Sequence, residues 1–239
     1  RITDVDDPSY GSSLGWEAGK QSGAWRWEHE LEVITPDFDP NDLGFQARGN
    51  KIHQNFRISH QILEPKGRLL RSRHRLGVQY NRLYDPNAFE RFHVEYSYFE
   101  LTKGFLAWGY NVETRPAEYD YYDPRVWGRY RINPASFWHN AWVSTDFRNP
   151  LAFELRGGQW WWADYGARGL YGELQILARV NDKLNFNAEF ELSSNHQLGW
   201  AQTVNADSVG MALRHRRSLS QSLSGQYLFG PNSYLSLDV

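Results

Sequence analysis

The chain has 239 residues, of which 41% are hydrophobic and 23% charged, and this composition predicts one folded domain rather than a disordered chain. Its formal net charge of -2 excludes the basic surface with which proteins neutralise many phosphates, so nucleic acid is not an expected partner. The sequence contains no cysteine, which excludes disulfides, thiolate metal sites and cysteine nucleophiles.

Aromatic residues are unusually frequent, with 11 Trp, 14 Tyr and 13 Phe making up 16% of the chain. No run approaches the roughly 18 to 20 apolar residues that a membrane-spanning helix needs. The mean hydropathy of -0.68 is typical of a water-soluble protein. The strands of a membrane β-barrel also have low mean hydropathy, because lipid-facing and lumen-facing side chains alternate along them.

The first 24 residues are interpreted as an N-terminal segment or linker, and residues 25–239 as a transmembrane β-barrel that is incomplete at its C-terminus, on the alternation described below. The chain begins with Arg1 and shows no signal peptide, so we expect a processed or partial chain that lacks its true beginning. We also expect further strands after Val239, because a barrel needs a partner for each edge strand.

Apolar and polar residues alternate with period two along most of the chain, which predicts β-strands and no long helix. One example places Trp25, Trp27, Leu31 and Val33 opposite Glu28, Glu30 and Glu32. With weaker alternation toward the C-terminal end, about twelve strands are predicted in all. The alternating segments are residues 25–33, 51–62, 70–81, 91–98, 106–112, 137–147, 170–181, 184–193, 209–213, 219–227 and 234–239.

The predicted connections alternate between long and short. The longer ones are residues 36–49, 85–88, 116–134, 163–168 and 195–207, and the shorter ones are 65–67, 103–104, 149–150 and 181–183. An up-and-down meander places every second connection at the same end, and outer-membrane barrels have long loops outside and tight turns inside. The predicted fold is therefore an all-β, antiparallel, up-and-down transmembrane β-barrel; the alternative is a large soluble antiparallel sheet with an aromatic core.

Three segments resemble a known family. They are residues 37–45 (Asp-Phe-Asp-Pro-Asn-Asp-Leu-Gly-Phe), 121–125 (Tyr-Tyr-Asp-Pro-Arg) and 227–237 (Tyr-Leu-Phe-Gly-Pro-Asn-Ser-Tyr-Leu-Ser-Leu). The chain resembles the outer-membrane β-barrel domain of unknown function that lies C-terminal to a family-9-like carbohydrate-binding module in Gram-negative bacteria. The resemblance implies a location in the bacterial outer membrane and a link to polysaccharide handling. It implies no catalytic residues.

Charged side chains that recur at alternate positions are candidates for a barrel lumen. They could form a charged pore wall that selects solutes, or a salt-bridge lattice that fills a narrow barrel. The two interpretations stay open at this stage. The lumen-facing candidates are Glu28, Glu30, Glu32, Arg71, Arg73, Arg75, Glu154 and Arg156.

The longest predicted loop carries Tyr119, Tyr121, Tyr122 and Trp127, which could stack on a sugar or a peptide. The alternative is that these rings pack on one another within the loop. Residues 37–41 imitate the start of a calcium loop, but Asp42 and Arg48 stand where that loop needs Gly and Glu. The eight histidines lack metal-ligand spacing, so no metal and no cofactor are expected.

The sequence thus predicts an outer-membrane barrel that serves as a transport pore or a membrane anchor, and not an enzyme. Its expected partners are outer-membrane lipid, other outer-membrane or surface proteins, and a glycan. Two alternatives remain: a structural subunit of an outer-membrane complex with a filled lumen, and a soluble carbohydrate-binding β-protein.

Overall fold

The computed structural model describes residues 10–39, 48–122, 124, 129–164, 166–205, 208–230 and 233–239. Every regular element within these ranges is a β-strand. The strands are β1 (Ser13–Lys20), β2 (Trp25–Ile34), β3 (Lys51–Ile62), β4 (Leu69–Arg82), β5 (Phe89–Thr102), β6 (Ala107–Arg115), β7 (Glu118–Asp120), β8 (Arg131–Asn133), β9 (Ser136–Ser144), β10 (Leu151–Trp162), β11 (Arg168–Arg179), β12 (Leu184–Asn205), β13 (Ser208–Gly230) and β14 (Ser233–Asp238).

Twelve of these strands form one sheet in the order β1-β2-β3-β4-β5-β6-β9-β10-β11-β12-β13-β14, with β1 and β14 as its edges. Each strand pairs with its neighbours along the sequence, apart from the step from β6 to β9. There the chain forms the separate antiparallel pair of β7 and β8. The all-β antiparallel prediction is confirmed at this level. In the ranges given above, no helix is both long and apolar enough to cross a membrane.

The chain divides into two compact units. The first comprises Arg1–His60, Arg75–Tyr96 and Thr114–Ala135. It holds the paired strands β1, β2 and most of β3, with Glu28 opposite Arg57 in the register. The connections that follow β2, β4 and β6 also lie in this unit, so it gathers the longer loops of the first half of the chain.

The second unit comprises Gln61–His74, Ser97–Glu113 and Ser136–Val239. Its strands β9 to β14 form a continuous meander. The short connections after β3, β5, β9 and β11 lie in this unit. In one of them, Asn181 Oδ1 accepts hydrogen bonds from the backbone amides of Lys183 and Leu184, both at 2.9 Å, which closes the turn.

The structure corrects the sequence prediction in three places. Strand β1 lies in the segment 1–24, which was interpreted as a linker. Residues 195–207 were predicted to be a loop, yet β12 continues to Asn205 and pairs with β13. In the sequence this stretch mixes glycine, alanine and amide residues with few large apolar ones, so alternation was weak. For the same reason, the segments predicted separately at 209–213 and 219–227 belong to one strand, β13.

Large apolar side chains line one face of the second unit and remain exposed. Strand β10 shows the pattern, with Phe153 and Leu155 43% and 50% exposed while Glu154 and Arg156 point to the other face. The buried apolar side chains of the described residues are only Ile34, Leu83, Ala152 and Ala167. A chain of this length would ordinarily bury many large apolar side chains in one core.

Candidate functional site: the polar face and the loop cluster

Ion pairs connect three strands on the polar face of the first unit. Arg57 of β3 donates to Glu28 of β2 over 2.7 Å and lies 3.9 Å from Glu95 of β5. Lys51 of β3 pairs with Glu32 at 2.7 Å. These contacts arise because antiparallel pairing places Glu28 directly opposite Arg57 and brings Glu32 diagonally next to Lys51.

Further polar side chains of β3 and β4 continue this face. His53 Nδ1 lies 2.8 Å from the side-chain oxygen of Asn81, which also accepts a hydrogen bond from Gln79 at 3.2 Å. Glu30 is exposed and stands opposite Asn55 in the register. Of the predicted acidic group, therefore, Glu28 and Glu32 lie in ion pairs with residues of the neighbouring strand β3.

The predicted arginine group lies on β4, where Arg71, Arg73 and Arg75 are all exposed. Period-two alternation puts them on the side of β4 that also carries Gln79 and Asn81. The structure pairs Glu28 and Glu32 with Arg57 and Lys51 rather than with these arginines.

In the second unit the polar face is built from amides, aromatic rings and one ion pair. Asn111 donates to Asn140 over 2.7 Å, and Asn140 donates to the hydroxyl of Tyr171 over 3.1 Å. Arg156 donates to Glu154 two residues earlier on the same strand, over 3.1 Å. These two charges were predicted together, and the structure places them in contact.

The predicted tyrosines contact other parts of the first unit. The Tyr121 hydroxyl donates to the carbonyl of Phe89 over 3.0 Å, and the Tyr122 hydroxyl donates to that of Gly49 over 3.1 Å. Tyr119 packs edge-on against Phe89, with ring centroids 5.8 Å apart. Trp127 lies outside the described residues. We call Tyr119, Tyr121 and Tyr122, together with the residues that they contact, the loop cluster.

Two charged residues, Arg48 and Glu90, lie next to the loop cluster. The Arg48 guanidinium lies 4.4 Å from the Tyr122 ring centroid and 3.5 Å from the carboxylate of Glu90, which is buried. Burial raises the pKa of the Tyr122 hydroxyl, and the negative charge of Glu90 raises it further. The hydroxyls of Tyr121 and Tyr122 are therefore held by residues outside the predicted loop. The rings of Tyr119 and Tyr121 also contact the Tyr130 ring within that loop.

Three carboxylates converge on the polar face of the second unit. Oxygen atoms of Glu173, Glu189 and Glu191 all lie within 4.8 Å of one another. Glu173 and Glu191 stand directly opposite each other on β11 and β12. Exposed acidic groups meet in this way in many sheets, so the cluster on its own does not identify a metal centre. The calcium-like segment 37–41 extends into residues that the structure does not describe.

Sequence reasoning did not select Arg57, Lys51, Glu90 or Glu95 as site residues. A signal existed for the first two, since Lys51 and Arg57 alternate with apolar residues on a strand that follows the acidic one. Their partnership with Glu28 and Glu32 depends on the register, which period-two alternation does not fix. Glu90 gave no signal because its burial under Arg48 depends on the fold of the loops.

Comparison with known proteins gives one result. The family model described as "Domain of unknown function (DUF5916)" matches residues 1–239, the whole of the chain. The search found no significant match among curated proteins or among solved structures.

Proposed function

Because the chain belongs to the DUF5916 family, whose function is unknown, we propose a function from the geometry: the chain is the membrane-embedded part of a β-barrel in the outer membrane of a Gram-negative bacterium. It acts there as a membrane anchor or a transport pore. One observation carries the proposal, namely that a single face of the second unit exposes large apolar side chains on consecutive paired strands.

The register gathers these side chains into rows. Leu155, Leu174 and Phe190 form one row across β10, β11 and β12, and Leu192 stands opposite Leu219 of β13 in another. Leu219 is 76% exposed and Leu192 is 49% exposed. Each such side chain gains about 1.5 to 3 kcal/mol when it is fully removed from water. A continuous face of this kind calls for an apolar environment, and a bilayer supplies one.

The opposite face supports the same proposal. Strand β12 alternates Phe186, Phe190 and Leu192 with Asn187 and Glu191, and the polar members contact neighbouring strands. In an outer-membrane barrel, apolar side chains face the lipid outside and alternate with polar side chains that face the interior. Closure, in which β1 and β14 pair with each other or with further strands, is part of the proposal.

We further propose a link to polysaccharide handling, which rests on sequence resemblance rather than on the geometry. It is supported by the resemblance of residues 37–45 and 227–237 to barrel domains that accompany a carbohydrate-binding module. Described residues of the loop cluster are occupied by mutual contacts, so we assign the glycan to an adjoining module or partner rather than to Tyr119, Tyr121 and Tyr122.

The proposal is tested by separating cell fractions and running the native protein on a detergent gel with and without boiling. We expect recovery in the outer-membrane fraction and a change of mobility on boiling, because closed barrels resist detergent until heated. A periplasmic protein and a known outer-membrane protein serve as controls for the fractionation. Recovery of a monomer in the water-soluble fraction, with no heat-dependent shift, would contradict the proposal and favour a soluble carbohydrate-binding protein.

A second candidate is a structural subunit with a filled lumen, which docks other outer-membrane proteins. The ion pairs of Arg57 and Lys51 favour it, because a lattice of paired charges also suits a closed interior. Conductance in a planar bilayer separates the two candidates. Steady ion current through the purified barrel favours the pore, whereas a heat-modifiable barrel without current favours the structural subunit.

A further inference from the structure

The apolar face of the second unit changes character toward the β10–β11 and β12–β13 connections. The register aligns Trp161, Arg168, His196 and His215 in one row across β10, β11, β12 and β13. The next row contains Leu170, Ser194 and Arg217, and a third row, two residues farther along β13, contains Leu192 and Leu219. From the row of Leu192 and Leu219, the face therefore passes first to Arg217 and then to the row that holds Trp161, Arg168 and the two histidines.

We call Trp161, Arg168, His196, His215 and Arg217 the rim cluster. The rings of His196 and His215 lie edge to face with centroids 4.0 Å apart. Arg217 Nε donates to His215 Nε2 over 3.1 Å, which directs the arginine along the same face. Three strands thus contribute to one basic patch.

A cavity of about 620 Å³ opens beside this patch. Its lining includes the apolar side chains of Trp161 and Leu170 and the basic side chains of Arg168, His196 and Arg217. Trp161 and Leu170 are each 42% exposed. The cavity thus combines an apolar wall with guanidinium donors, a combination that fits an amphipathic ligand with an anionic head.

We propose that the rim cluster binds the phosphate-bearing headgroup of a membrane lipid, an inference that rests on the proposed membrane location. Arginine presents a planar fork that matches phosphate oxygens, so Arg168 and Arg217 hold the phosphate. Trp161 lies at the level of the interface, where indole rings are enriched. The acyl chains lie along Leu192 and Leu219. Leu219 is two residues after Arg217 on β13, which at about 3.3 Å per residue places it about 7 Å away.

The chain offers a matched control on the same hairpin. Arg214 and Arg216 alternate with His215 and Arg217, so they belong to the opposite face of β13. Arg216 stands opposite Asn195, a residue of the polar face that accepts a hydrogen bond from Trp160. Replacing Arg168 and Arg217 removes two positive charges, and so does replacing Arg214 and Arg216. Only the first pair belongs to the rim cluster.

The test measures the binding of diphosphorylated lipid A to the purified full chain in detergent, by native mass spectrometry. Monophosphorylated lipid A and inorganic phosphate are the comparison probes. We expect the Arg168→Gln/Arg217→Gln variant to bind diphosphorylated lipid A at least tenfold more weakly than the parent. The Arg214→Gln/Arg216→Gln variant should stay within about twofold. Both variants are first checked for the heat-dependent gel shift, so that only folded protein is compared.

The outcomes separate the two proposals. A heat-modifiable barrel that binds diphosphorylated lipid A with equal affinity in both variants overturns the rim-cluster site and leaves the membrane proposal standing. Equal affinity for inorganic phosphate and for the lipid would show a free-anion site and also overturn it. Recovery of the parent protein as a water-soluble monomer overturns the proposed function itself. Selective loss in the first variant supports the lipid site.

Discussion

The Arg57 guanidinium joins two carboxylates, Glu28 at 2.7 Å and Glu95 at 3.9 Å, on the polar face of the first unit. These side chains are 35% to 42% exposed, so water screens the attraction between them. Pairs with this exposure contribute about 0.2 to 1 kcal/mol each. Their greater effect is on register, because a shift of β3 by one residue would turn Arg57 to the apolar face.

A stronger electrostatic effect occurs in the connection between β9 and β10. Arg148 donates from Nη2 to Oδ2 of the Asp146 carboxylate at 2.7 Å and from Nε to Oδ1 at 2.8 Å. The backbone amide of Arg148 also donates to Asp146, at 2.9 Å. Hydrogen bonds to the carboxylate favour its charged form and lower the pKa of Asp146 to about 2.

The first prediction concerns this carboxylate. In the variant Arg148→Gln we expect the pKa of Asp146 to rise toward its ordinary value of 3.8. Because the folded-state pKa is depressed, the stabilisation is complete above about pH 4 and is lost as pH falls toward 2. Unfolding temperatures of parent and variant should therefore differ at pH 6 and converge near pH 2. An NMR titration checks the pKa directly, with Arg148→Lys as the charge-conserving control. A parent pKa near 3.8 would contradict the prediction.

At the scale of single elements, glycine allows close contact on the polar face. An added Cβ at Gly158 of β10 would lie 2.7 Å from the His139 carbonyl oxygen, 2.7 Å from the Tyr171 ring and 2.9 Å from the Asn140 Cβ. Adjacent Gly157 faces the other way, and a Cβ added there would lie 3.4 Å from the Tyr171 carbonyl oxygen. Two neighbouring glycines of one strand thus differ in the space around them.

The second prediction uses this pair. Gly158→Ala should lower the free energy of unfolding by about 1 to 3 kcal/mol, because the backbone oxygen of His139 cannot move aside without disturbing the pairing of β9 and β10. Gly157→Ala should change it by less than about 0.5 kcal/mol, since surface positions without steric conflict tolerate substitution. Urea unfolding of the protein in detergent micelles measures both. Equal effects of the two substitutions would contradict the argument.

At the scale of the whole molecule, the main feature is that large apolar side chains are exposed rather than buried. Strand β10, for example, sends Phe153 and Leu155 to one face and Glu154 and Arg156 to the other. With so few large side chains buried, the stability of the fold depends on strand pairing and on the medium in contact with the apolar face. The medium therefore decides whether a charge on that face can be tolerated.

The third prediction follows from this dependence. Leu219→Arg should cost about 2 to 4 kcal/mol in lipid vesicles if Leu219 lies near the middle of the bilayer, and less toward its edges. Ser220→Arg, the next residue of β13 and on the polar face, should cost much less. Unfolding in vesicles gives both values. If Leu219→Arg is as stable as Ser220→Arg, the apolar face does not contact lipid.

The sequence by itself determined the period-two alternation of residues 51–62 and 184–193, and from it the all-β class and approximate strand count. Alternation is a local property, since it reports which side of a strand each residue occupies. It was weak where large apolar residues are few, as in residues 195–207, and there the continuation of β12 was predicted as a loop.

Only the tertiary structure decided which strands are partners in register and which side chains meet. Glu28 meets Arg57 rather than the arginines of β4, and Arg168 joins His196 and His215, because pairing between strands brings together residues far apart in sequence. The tyrosines of the long loop were identified from sequence, but their contacts with Phe89 and Gly49 depend on how separate loops pack. Such contacts are nonlocal, and the alternation of one strand carries no information about its distant neighbours.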